Sequence, residues 1–169
     1  GLRDGSIQVP GLEVEGVLAI AEGYRAEGAD VIDLGCDPDG PFEGIGKLVE
    51  ELRGRGFRVS VDSLDPLEIE PAVASGAELV LSVNSSNIEV ARTLGCEVVL
   101  IPDQTETLGG IDENVTRLES WGVPYRIDPV IEPIGFGFPR SLGRHLEIRA
   151  PHPHAEILMG SGKLTEPPE

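Results

Sequence analysis

Short apolar runs alternate with amphipathic stretches along the whole chain. "LEVEGVLAIAEGYRAEG" places Val14, Val17, Leu18, Ala21 and Tyr24 at the spacing of one helix face, and Gly28 follows as a stop. "ADVIDLG" then reads as a short buried strand. "PFEGIGKLVEELRGRG" predicts a second helix, with Pro41 near its start and Gly54 or Gly56 at its end, and "FRVSVDS" the next strand. The alternation continues through helix "DPLEIEPAVASG", which Asp65 is placed to cap, strand "AELVLSVNSS", helix "NIEVARTLG" and strand "CEVVLIPD". Helix "IDENVTRLESWG" follows, with Asp112 as its expected cap. After it come a strand beginning at "VPYRIDPVIEP", helix "PRSLGRHLEIRAPHP", and a sixth strand in "AEILMGSG".

Strands that alternate with helices, and never meet through a tight hairpin, form a parallel sheet covered by helices. Glycines punctuate the helix-to-strand passages at Gly28, Gly56, Gly76, Gly95 and Gly122. Two architectures fit: an open doubly wound sheet, which five or six units complete, and a (β/α)8 barrel, which needs about 250 residues. About six βα units in 169 residues leave such a barrel two strands short. On this reading the sequence opens at a helix and both of its ends look cut, so exposed sheet edges are expected to need a partner, a homodimer or the missing barrel segments.

Composition narrows the chemistry. With 30 acidic against 13 basic residues the net charge is −17, which argues against non-specific binding to nucleic acid or anionic membranes and repels anionic ligands. No run approaches the roughly 18 apolar residues of a membrane span, and no signal peptide is visible, so a cytoplasmic location is expected. Cys36 and Cys96 read as two buried thiols. "HPH" around His152 and His154, with His145 nearby, reads as a loop, because proline breaks any ligand spacing. "GFGFP" (135–139) is too short for a dinucleotide fingerprint and reads as a close-packed loop, with a ligand-covering role as the alternative.

In either architecture the carboxyl ends of the strands carry the site. The residues expected there are Asp33, Asp62 with Ser63, Asn84 with Ser85, Asp103 with Gln104, Asp128, and "MGSGK". Such a rim of acids and amides suits a ligand rich in hydrogen-bond donors, such as a 2-aminopyrimidinone edge, whose parallel N–H groups one carboxylate can accept. Each position also has a plain alternative. Asp33 caps a loop, Asp62 caps the helix after it, Asn84 is a turn residue, Asp128 is an extended residue before Pro129, and Asp103 belongs to a solvated loop.

"AEGADVIDLG", "RVSVDS", "LVLSVN" and "RIDP", in this order, resemble the dihydropteroate synthase and pterin-binding superfamily over roughly residues 13–165. "DPVIEPIGFGFPRSLGRHLEIR" and "ILMGSGKLTE" are most similar to the synthase-like proteins of methanogens and methylotrophs. The resemblance implies an incomplete (β/α)8 barrel, a single pterin-binding domain over 1–169, with Asp62, Asn84 and Asp128 holding the aminopyrimidinone ring. It marks Lys163 as a further pterin contact and assigns catalytic roles to Asp62 and Lys163, with Asp33 and Asp103 as additional candidates. The family's first-strand "NVTPDSF" and last-strand "RVHD" motifs, which hold diphosphate and metal, are absent. The implied reaction joins a hydroxymethyl-dihydropterin diphosphate to an aryl amine, with Mg²⁺ carried by the diphosphate, in folate or tetrahydromethanopterin synthesis. The alternatives are a methyltransferase module serving a corrinoid partner, a non-catalytic pterin-binding domain, and an open-sheet signalling domain whose acids bind Mg²⁺.

Overall fold

A computed structural model describes residues 4–36, 40–135 and 137–160. Its elements, in chain order, are β1 (Asp4–Gln8), α1 (Val14–Ala26), β2 (Val31–Gly35), α2 (Ile45–Gly54), β3 (Arg58–Asp62), α3 (Pro66–Ala74) and β4 (Leu79–Val83). They continue with α4 (Ile88–Leu94), β5 (Glu97–Leu100), α5 (Ile111–Trp121), β6 (Tyr125–Ile127), α6 (Phe138–Arg149) and β7 (Glu156–Ile157). Every adjacent pair of strands is parallel, and the sheet order is β1-β2-β3-β4-β5-β6-β7.

That order decides between the two architectures. A doubly wound sheet reverses its strand order at a switch point. Here each crossover advances by one strand in the same direction, so right-handed connections lay all the helices on one face. Consecutive helices do pack against one another, α2 on α3, α3 on α4 and α4 on α5. The result is a partial barrel of seven strands and six helices among the described residues, with β1 and β7 as its two edges.

The expectation of six strands beginning at a helix is corrected by β1. "DGSIQ" carries only one large apolar side chain, too weak a pattern to read as a strand on its own. It becomes one because Ile7 and Val9 join the core beneath α1, and Gly5 lets Tyr24 close on the strand. A Cβ on Gly5 would sit 2.4 Å from Tyr24 Cγ, and the Tyr24 hydroxyl donates to Ser6 O at 3.1 Å.

The core lies between sheet and helices. Ile32, Leu34, Val59, Val61, Val80, Val98, Leu100 and Ile127 meet helix residues spaced by three and four, such as Ile45, Leu48, Val49 and Leu52 of α2. Asp65 caps α3 as expected, accepting from Leu67 N at 2.8 Å. Asp112 does not cap α5: that place belongs to Gly110, with φ +84°, and Asp112 sits in the first turn. Cys36 and Cys96 are free thiols, both half-buried. No helix among the described residues is long and apolar enough to cross a membrane.

Candidate functional site

The phase of β3 sets the site. Val59 and Val61 point into the core, so Ser60 and Asp62 face the other side of the sheet. Register places Ser6, Asp33 and Ser60 side by side, and one layer further along Gln8, Gly35 and Asp62. Asp62 is the last residue of β3 and lies at the carboxyl edge. The Ser82 hydroxyl from β4 donates to Asp62 Oδ1, while Oδ2 accepts no hydrogen bond among the described residues.

A cavity of about 520 Å³ opens at this edge, lined by Asp62, Ser82, Gln8, Gly35, Cys36 and Glu68 among others. The Gln8 side chain lies across β2 where Gly35 has no side chain; a Cβ there would sit 2.3 Å from Gln8 Nε2. Among the described residues the lining includes the carboxylates of Asp62, Asp65 and Glu68 and neither lysine nor arginine. Burial, reinforced by the Glu68 carboxylate beside it, pushes the Cys36 thiol well above its ordinary range.

Glu68 itself is buried, at 1% exposure, although it belongs to the first turn of α3. Its Oε1 accepts from Phe42 N at 2.7 Å, and its Oε2 accepts from the Ser63 hydroxyl. Ser63 Oγ in turn accepts from Asp65 N at 3.0 Å. This is a capping box with a hydroxyl inserted between the glutamate and the cap amide. It ties the β2–α2 connection, the β3–α3 turn and α3 together along one wall of the cavity.

The other expected residues divide. Asn84 follows β4 and is 9% exposed. Its Oδ1 accepts from Ser86 N at 2.9 Å and from Ser86 Oγ at 2.6 Å, so both lone pairs are engaged. The group it has left to offer is Nδ2, which has no partner among the described residues. Val83, Leu100 and Ile127 are register partners, and Ile101 N and Asp128 N each bond back to the preceding strand, at 2.8 and 2.9 Å. Asn84, Ile101 and Asp128 therefore stand at one level of the same edge. Asp128 is half-buried, with Oδ1 accepting from Val130 N at 2.8 Å. Neither Asn84 nor Asp128 is among the residues lining the cavity.

Two expectations change. Asp33 is the third of five residues in β2, not its end; it is buried below the cavity, with Ser60 Oγ at 2.7 Å and Ser6 Oγ at 3.4 Å. Asp103 is exposed and organises loops, accepting from Ser85 N at 2.9 Å and packing so closely on Gly110 that a Cβ there would overlap its carboxylate. Lys163 lies outside the described residues. Of the histidines, His145 is buried in α6, with Nδ1 2.8 Å from Ser141 O, and His152 pairs with Asp112 at 2.7 Å.

Sequence reading missed Gln8, Glu68 and Ser82 in the lining. Ser82 had a signal, a hydroxyl inside the apolar run "LVLSV". Glu68 stands three residues after the cap Asp65, the spacing of a capping box, but nothing local marks its burial in the cavity wall.

No family model matches the chain. It is 27% identical over 165 aligned residues to an uncharacterized protein of Methanocaldococcus jannaschii, covering 85% of this chain and 31% of that protein, so it spans about a third of that relative's length. Its backbone superimposes on dihydropteroate synthase of Yersinia pestis, solved with a pterine–sulfa conjugate, with a TM-score of 0.71 at 20% identity over 92% of this chain and 69% of that one. The Thermus thermophilus synthase gives 0.67 at 25% identity, over 97% and 72%. The chain has the dihydropteroate synthase fold. The Burkholderia cenocepacia synthase, solved with 7,8-dihydropteroate, matches with a TM-score of 0.62 at 23% identity, over 80% of this chain and 59% of that one. In this fold the carboxyl edge carrying Asp62, Asn84 and Asp128 is the face on which barrel enzymes build their sites.

Proposed function

We propose that this chain is the pterin-binding portion of a dihydropteroate synthase-like transferase. The observation that carries the reading is Asp62, a carboxylate at the edge of an open cavity. One of its oxygens is held by Ser82 and the other is left to accept an N–H from an aminopyrimidinone. Asn84 Nδ2 supplies a donor for a ring carbonyl or nitrogen, and Asp128 a second acceptor. Lys163 is the further contact expected from sequence.

In the reaction the nitrogen of an aryl amine attacks the pterin methylene carbon. The C–O bond to diphosphate breaks, diphosphate leaves with the electron pair, and the amine loses a proton. The carboxylates of Asp62 and Asp128 beside the ring favour the positive charge that develops on the methylene.

No group of three or more His, Cys, Asp or Glu side chains among the described residues is arranged to hold a metal ion. Mg²⁺ is read, from the likeness to the synthases, as travelling with the substrate diphosphate, whose charge it offsets against the acidic lining. The carboxylates of Asp62, Asp65 and Glu68 in that lining also favour a second reading, a module that holds a methylated tetrahydropterin for a corrinoid partner and has no diphosphate to bind. Calorimetry with hydroxymethyl-dihydropterin diphosphate separates the two. Binding that tightens with Mg²⁺ supports the transferase. Binding of methyl-tetrahydropterin, with no gain from Mg²⁺ on the diphosphate, supports the second reading.

A further inference from the structure

The β6–α6 connection, residues 128–137, carries the one non-glycine residue with positive φ among the described residues, Val130 at +59°. A β-branched side chain is especially disfavoured there, and such a conformation persists only where its surroundings impose it. Arg144 packs against this segment. It lies on the buried face of α6 with its side chain 5% exposed. Its Nε donates to Pro129 O at 3.2 Å, and its Nη2 to Val130 O at 2.9 Å and Glu132 Oε1 at 3.1 Å.

Pro129 and Val130 are the two residues after Asp128, and Val130 N donates to Asp128 Oδ1. The far end of the connection is fixed as well. Glu132 N donates to Ser141 Oγ at 3.0 Å, and a Cβ on Gly137 would sit 1.6 Å from Glu132 Oε2.

We infer that Arg144 is a positioning residue for Asp128: it clamps two successive carbonyls, holds Val130 in its strained form, and so aims the Val130 amide that orients the carboxylate. A planar guanidinium can serve three acceptors in a fixed fork, which an ammonium cannot. Its third nitrogen, Nη1, is buried without a partner among the described residues. Removing the guanidinium strips the Pro129 and Val130 carbonyls and the Glu132 carboxylate of this donor, so stability alone does not separate a positioning role from a structural one, and exchange and affinity are read on folded variants.

The consequence for ligand binding rests on the pterin reading; the clamp itself does not. Two measurements on Arg144→Lys, with Arg144→Gln in parallel should the first not fold, keep them apart. The first is amide hydrogen exchange without ligand. Val130 is expected to exchange about tenfold faster, with Leu100 and Ile127 unchanged. Unaltered Val130 exchange in the folded variant overturns the clamp. The second is calorimetry with 7,8-dihydropteroate at a temperature where both proteins are folded. Affinity is expected to fall about tenfold, and adding the change to Asp128→Ala is expected to cost nothing more. Faster exchange with unchanged affinity, or losses that simply add, overturns the positioning role. If the unmodified chain does not bind dihydropteroate, the pterin reading fails and the exchange result alone decides the clamp.

Discussion

Ser82, near the end of β4, donates its hydroxyl proton to the carboxylate of Asp62 at the end of β3. The bond crosses between neighbouring strands and fixes one oxygen of the group on which the proposed recognition depends. Ser82→Ala should leave the fold intact, because the side chain faces the cavity rather than the core. Affinity for 7,8-dihydropteroate should fall about five- to thirtyfold, corresponding to roughly 1–2 kcal/mol for the lost hydroxyl bond to the carboxylate. Titration calorimetry alongside a thermal melt measures both.

Below that layer, Asp33 and Ser60 form a buried pair at 2.7 Å. Ser60→Ala removes the shorter of the two hydroxyl contacts to a carboxylate that is 4% exposed. The expected loss is about 1–3 kcal/mol of folding stability, read from urea denaturation. Dihydropteroate affinity should hold steady while the protein is folded, because Asp33 lies beneath the cavity.

Burial and Glu68 keep the Cys36 thiol protonated. In a Cys96→Ser background, alkylation of Cys36 at pH 8 should be far slower than that of an exposed cysteine, because the thiolate is the nucleophile. The rate should still be climbing at the highest pH at which the protein stays folded. Glu68→Gln removes the charge but not the burial, so it should speed the reaction only in part.

Glu78 bridges Arg53 and Arg58, with Arg58 Nε 2.9 Å from its Oε2, and hydrogen bonding from Arg58 leads the causes that hold its carboxyl below the ordinary range. A depressed carboxyl stabilises the fold above its unfolded pKa, and that stability is lost as pH falls through the folded one. The group is exposed, so the effect is small, under about 1 kcal/mol. Melting curves of Glu78→Gln should lie below those of the unmodified chain at pH 7 and merge with them toward pH 3, and added salt should narrow the gap at pH 7.

The alternating elements were legible because each helix buries a face spaced by three and four residues and the core strands are short runs rich in Val, Ile and Leu. Asp62 was legible for the same reason: Val59 and Val61 fix the phase of β3. Neither β1 nor the depth of Asp33 was legible. The first depends on packing beneath α1, the second on where β2 ends, and neither is a local property. Glu68 was hidden because its partners, Ser63 and the Phe42 amide, come from two other segments. The strain at Val130 was hidden because Arg144, which binds its carbonyl, stands fourteen residues away.

The central claim is that Asp62 grips a heteroaromatic edge, and calorimetry of the unmodified chain and Asp62→Ala with 7,8-dihydropteroate tests it directly. The account predicts saturable one-site binding by the unmodified chain and a loss of about ten- to a hundredfold in the variant, since a bond to a charged acceptor disappears. Equal affinity in the two folded proteins, or no binding by either, would contradict it.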